Sequence, residues 1–176
     1  SHWISARGSF LYATADLKSA VLARLPFAAR LKCGRNVKGF MAADGGFVFT
    51  NHAQTAPAGD FVAVAELLAG VPYLWGGRSD LGLDCSGLVQ LALQAAGHDA
   101  PRDSDMQEHL GALAKGEAQR GDLVFWKGHV GILLDAETLL HANAHSMCVS
   151  IEPLAEAEAR IAANKGGPVT CRRRMD

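Results

Sequence analysis

The chain has 176 residues, 49% of them hydrophobic and 20% charged, which suits one ordinary domain or a small module joined to a larger one and excludes a disordered chain. Formal net charge is -1, so no basic footprint points to nucleic acid or to an anionic membrane surface. No apolar run approaches the ~20 residues that a membrane-spanning helix needs.

The first residues, SHWISARGSF, carry neither the charged start nor the apolar middle of a signal peptide. They also lack an initiator Met, which points to a processed or trimmed start. Residues 1 to about 55 read as β structure. Short runs at 8–12, 22–25, 30–33, 39–42 and 46–50 are separated by Gly, Pro, Asp and Asn. Turn signals so closely spaced predict a small antiparallel barrel, with its sharpest turn at Asp44-Gly45-Gly46. The stretch 51–59, NHAQTAPAG, turns small and polar and reads as a linker.

Beyond it the pattern becomes mixed. Asp60 is placed to cap a helix through Ala69, with Gly70 closing it. The segment SGLVQLALQAAG puts Leu88, Leu91, Leu93, Ala95 and Ala96 largely along one helical side and ends at Gly97. Ser104 and Gln107 have capping-box spacing for a helix to about Lys115. Strand-like runs follow at 123–126, 130–134, 138–141 and 147–151, then a helix over 153–164 stopped by Gly166-Gly167-Pro168. Arg172-Arg173-Arg174 reads as a solvated end. Helices first and sheet second indicate an α+β domain.

Cys85 opens the apolar helix, where unpaired backbone N–H groups and the helix dipole lower a thiol pKa. The thiolate is the nucleophilic form. The bland alternative is a buried structural thiol. His129 opens the strand HVGIL, whose alternation puts His129, Gly131 and Leu133 on one face, with Gly131 leaving open space before the ring. His141, twelve residues later on the expected antiparallel neighbour, is placed to hydrogen-bond that ring and fix its tautomer. A core histidine is the ordinary reading of each taken singly. A zinc site built from Cys85, His129 and His141 is a further possibility, though the spacings are long for it. The four cysteines, Cys33, Cys85, Cys148 and Cys171, match neither a zinc pattern nor a redox pair, and free thiols favour a reducing, cytoplasmic compartment. Removal of a leader would instead mean a periplasmic or secreted protein.

The blocks YLWGG…DCSGLVQ, GDLVFWKGHVGILLD and LLHANA resemble, in order and spacing, the three signature blocks of the NlpC-type cell-wall cysteine peptidases. The likeness runs from about Asp60 to the C-terminus. It implies a papain-like catalytic domain over 56–176, with helices packed on an antiparallel sheet. In that reading Cys85 is the nucleophile, His129 the general base and His141 the orienting third member. Tyr73 matches the residue whose hydroxyl stabilises the oxyanion together with the Cys85 N–H. Asp84 and Ser86 match positions lining the substrate cleft, against the plain roles of N-cap and first-turn residue. Arg102 stands where a substrate carboxylate is within reach, or is simply a surface arginine. Residues 1–55 resemble a bacterial SH3-type domain, hence an SH3-like barrel before the catalytic domain.

The resemblance implies no metal or other cofactor. It implies a peptidoglycan stem peptide of the L-Ala-γ-D-Glu-diaminopimelate type as substrate, cut between γ-D-glutamate and the diamino acid in cell-wall turnover or recycling. Rival readings are a Cys–His amidase or acyltransferase and a non-catalytic wall-binding module.

Overall fold

The computed structural model describes residues 1–175, which divide into two compact units, one ending at Pro57 and one beginning at Ala58. The first unit contains β1 (His2–Ile4), β2 (Gly8–Tyr12), β3 (Val21–Pro26), β4 (Arg30–Leu31), β5 (Cys33–Val37), β6 (Phe40–Ala43), β7 (Gly46–Phe49) and β8 (Ala53–Gln54). These form two open sheets, one in the order β4-β1-β8 and one in the order β3-β2-β7-β6-β5. The expected SH3-like barrel is therefore not what the chain builds. Closure requires the two edge strands to meet, and β3 and β5 end the larger sheet without pairing to each other. Val21, Leu22, Ala23 and Arg24 on β3 are all exposed, and the β5–β6 register slips between Cys33 and Asn36. Turn signals predict hairpins correctly here but carry no information on whether their edges join.

The stretch read as a linker also begins as structure. Ala53 of β8 pairs with Ile4, joins Ile4, Met41 and Val48 in a small apolar core, and is followed by Ala56, whose carbonyl accepts the Trp3 indole N–H at 2.9 Å.

In the second unit, Asp60 caps α1 (Phe61–Leu67) by accepting the Val62 N–H at 2.8 Å. A short hairpin of β9 (Arg78–Ser79) and β10 (Gly82–Leu83) leads into α2 (Cys85–Ala95). The helix expected from Ser104 to Lys115 is only α3 (Ser104–Gln107). Its cap is Asp103, and Gln107 is fully buried, donating to the carbonyls of Ser86 and Pro101 at 2.9 Å each. Gly111, at φ 54°, redirects the chain into β11 (Ala112–Leu113). Satisfying buried carbonyls and adding a strand to a sheet outweigh the local capping signal.

The rest builds a six-stranded antiparallel sheet in the order β11-β16-β12-β13-β14-β15, with β12 (Asp122–Trp126), β13 (His129–Leu133), β14 (Thr138–Asn143), β15 (Cys148–Pro153) and β16 (Cys171–Arg174). The terminal arginines are not a solvated tail. They lie on β16 between β11 and β12, where the Arg174 fork donates to the fully buried Asp122 at 2.6 and 2.8 Å. Helix α2 buries Leu88, Val89, Ala92 and Leu93 and packs against β13 and β14, while α1 lies beside it. The face carrying Val124, Trp126, Leu133 and Leu139 is covered by α4 (Leu154–Ala163) through Ala157, Leu154 and Ile161. The α+β arrangement of helices on a sheet, as the sequence predicts, brings the N-terminus of α2 to the start of β13.

Candidate active site

Cys85 is the first residue of α2 and is nearly buried. Burial pushes its thiol above the usual range, and the nearby Asp84 carboxylate adds to that. The N–H groups of Val130, Ser86 and Cys85 itself pull the other way. The helix-start effect expected from the sequence is therefore present, but desolvation outweighs it. The Val130 contact places the sulfur at the head of β13, one residue from His129.

Asp84 is the N-cap of α2, accepting the Gly87 N–H at 2.7 Å, and it also takes the Gly76 N–H at 2.8 Å. The Arg102 guanidinium donates to both its carboxylate oxygens, at 2.9 and 2.6 Å, and to Ser86 Oγ at 2.9 Å. Burial alone would raise the Asp84 carboxyl; Arg102 and the two N–H groups overcome that and hold it below the usual carboxylate range. Asp84, Ser86 and Arg102 thus form one closed cluster beside the thiol. Arg102 is neither a loose surface residue nor an empty fork awaiting a carboxylate.

His129 and His141 meet as the strand alternation predicts. His129 Nε2 lies 2.7 Å from His141 Nδ1, with the rings edge to face at 5.0 Å. The space above Gly131 is not open, however. A Cβ there would stand 2.6 Å from Leu139 Cδ1 and 3.2 Å from His141 Cβ, so glycine lets β14 press its side chains down onto β13. Burial, and then the neighbouring His141, push His129 down to about 3. Burial also lowers His141, against the opposing pull of Glu152.

Two partners escaped the sequence reading. Glu152 Oε1 lies 2.5 Å from His141 Nε2, and Arg160 of α4 donates to both Glu152 oxygens, at 2.7 and 2.5 Å. The β14–β15 register, with His141 opposite Ser150, puts Glu152 on the same face two residues on. Period-two alternation along 148–153 held that signal, but only once the pairing was known.

Tyr73 is half-buried, with its phenol pushed up by burial and by the nearby Cys85 and Asp84. It lines a cavity of ≈ 450 Å³ with His129, His141, His145, Arg160 and Asn164. A second cavity of ≈ 330 Å³ is lined by Trp75, Cys85, Ser86, Arg102 and Gly128. The two therefore approach the head of β13 from its Gly128 and His129 sides. Among the described residues no three His, Cys, Asp or Glu side chains are grouped as a metal site, so the Cys85–His129–His141 zinc alternative has no support in the geometry.

Residues 70–162 match the NlpC/P60 family over more than half of the chain. The chain belongs to the NlpC/P60 family. Curated proteins that share this domain are named as peptidases. A γ-D-glutamyl-L-lysine dipeptidyl-peptidase of Bacillus cereus is 34% identical over 113 residues, 59% of this chain and 34% of that one. The chain spans about a third of the length of the curated relatives it matches. Among solved structures, an NlpC/P60 family protein from Bacillus cereus superposes with a TM-score of 0.77 over 98% of this chain and 62% of its own, at 22% identity, which shows the common fold. The peptidoglycan hydrolase RipB from Mycobacterium tuberculosis is 29% identical, with a TM-score of 0.54 over 65% of this chain and 63% of its own.

Proposed function

We propose that this NlpC/P60 protein is a cysteine endopeptidase that hydrolyses peptidoglycan stem peptides at the bond between γ-D-glutamate and diaminopimelate. The observation that carries the reading is the 2.7 Å His129–His141 hydrogen bond at the head of a strand whose next residue, Val130, turns its N–H to the thiol that opens α2. With Nε2 of His129 engaged, its Nδ1 is the nitrogen left to take a proton from Cys85. The depressed base and raised thiol favour a neutral pair at rest, so the proton moves as the sulfur attacks the amide carbonyl. The tetrahedral oxyanion meets the Cys85 N–H and the Tyr73 hydroxyl. Imidazolium at His129 then protonates the leaving amine, and neutral imidazole activates water against the thioester. His141 orients the base.

Asp84 and Ser86 shape the wall on the Cys85 side, held in place by Arg102. On the His129 side the cavity is lined by Arg160, His145 and Asn164 and by no carboxylate. With Arg160 already paired to Glu152, His145 and Asn164 are the polar groups left to meet the side-chain carboxylate of diaminopimelate, a contact that lysine does not offer.

The test is product analysis. L-Ala-γ-D-Glu-diaminopimelate should release L-Ala-γ-D-Glu, faster than the lysine counterpart does, and Cys85→Ala should release none. Unchanged cleavage by Cys85→Ala, or an intact peptide with turnover of some other acyl donor, would move the assignment to a different reaction.

A further inference from the structure

We propose that Glu152, braced by Arg160, sets the tautomers of both histidines and thereby leaves Nδ1 of His129 as the proton acceptor. The inference rests on the peptidase reading for its meaning, but not for its geometry. The Arg160 fork donates to both oxygens of Glu152, so these oxygens can only accept from the third partner, His141. His141 Nε2, 2.5 Å away, must then carry a hydrogen, since a lone pair there would face an anion. A neutral imidazole has one donor nitrogen, so His141 Nδ1 is an acceptor. At 2.7 Å it takes the hydrogen of His129 Nε2, and the lone pair of His129 falls on Nδ1. Each bond dictates the next, and the chain of four groups admits one direction.

The alternative direction would place hydrogen on His129 Nδ1 and remove the base. Among the described residues, the groups that interact here are His129 on β13, His141 on β14, Glu152 on β15 and Arg160 on α4, with Glu156 facing Arg160, while His145 lines the same cavity. Glu152 is thus a positioning residue. It touches no reacting atom, and it acts through His141.

The experiment reads ring-nitrogen tautomers by nitrogen-15 NMR of the full chain at neutral pH. In the wild type both His129 and His141 should carry hydrogen on Nε2 and none on Nδ1. In Glu152→Gln the amide oxygen is drawn to the Arg160 fork, turning its NH2 toward His141, so both tautomers should reverse. kcat on the stem peptide should fall about 100-fold or more, as wrong-tautomer variants of catalytic histidines do, with KM little changed. Adding Arg160→Met to Glu152→Gln frees the amide to turn and should restore the original tautomers. A wild-type spectrum with hydrogen on His129 Nδ1 overturns the proposal, as does a Glu152→Gln spectrum without reversal. The wild-type spectrum decides alone if the variants do not fold. Correct tautomers in a chain that cleaves no stem peptide would leave this inference standing and sink the peptidase reading instead.

Discussion

His129 is held neutral by its surroundings, and that has consequences at opposite ends of the pH range. Its pKa falls from the ordinary 6.5 to about 3 on burial beside His141. Between those values the unfolded chain binds a proton that the folded chain refuses. Stability is therefore whole above pH 6.5 and is lost as pH falls towards 3, by roughly a few kcal/mol. Urea titrations across that window should show the decline, and His129→Gln should flatten it. A wild-type curve as flat as that of the variant would contradict the burial argument. The same shift keeps the base competent in mild acid, so the acid limb of kcat/KM should lie well below 6.5. Part of this residue-scale picture is legible in the sequence: a helix start at Cys85 and two strand patterns that bring His129 to His141. Glu152 and Arg160 are not, because their contribution depends on a strand pairing and a helix docking that no local spacing records. The thiol is the instructive case. Its helix-start position is visible in the sequence, whereas the desolvation that outweighs it exists only after folding.

At the scale of elements, the site depends on β14 lying close upon β13. Gly131 permits this by having no side chain where Leu139 and His141 come down. Gly131→Ala should cost about 1–3 kcal/mol as an overpacked site, read by denaturant unfolding. It should also lower kcat by displacing His141, while KM changes less. Full stability and full kcat would show that β14 has room to give. The elements around the site illustrate how a local signal yields to a tertiary one. Ser104 and Gln107 have the spacing of a capping box, yet Gln107 is spent on the Ser86 and Pro101 carbonyls and the helix stops after one turn. Arg172 to Arg174 look like a charged tail, yet become an inner strand because Asp122 offers a buried carboxylate to the Arg174 fork. Partners more than fifty residues away decided that outcome.

For the whole molecule, the division at Pro57 leaves every residue of the candidate site in the unit that begins at Ala58. That unit has its own core on both faces of one sheet. A fragment starting at Ala58 should give a dispersed amide spectrum and cooperative unfolding, and a collapsed spectrum would contradict its independence. In the first unit hairpins can be counted from turn residues, but β1 finds β8 across some fifty residues and no barrel closes, which no turn residue records. The central claim is that Cys85, with His129 as base, cuts an amide through a thioester. Rapid acid quench of the enzyme with L-Ala-γ-D-Glu-diaminopimelate, followed by peptide mass mapping, tests it most directly. An L-Ala-γ-D-Glu adduct should appear on the peptide carrying Cys85, transient in the wild type and absent in Cys85→Ala. Product formed with no adduct at any time, or an adduct on another residue, would contradict it.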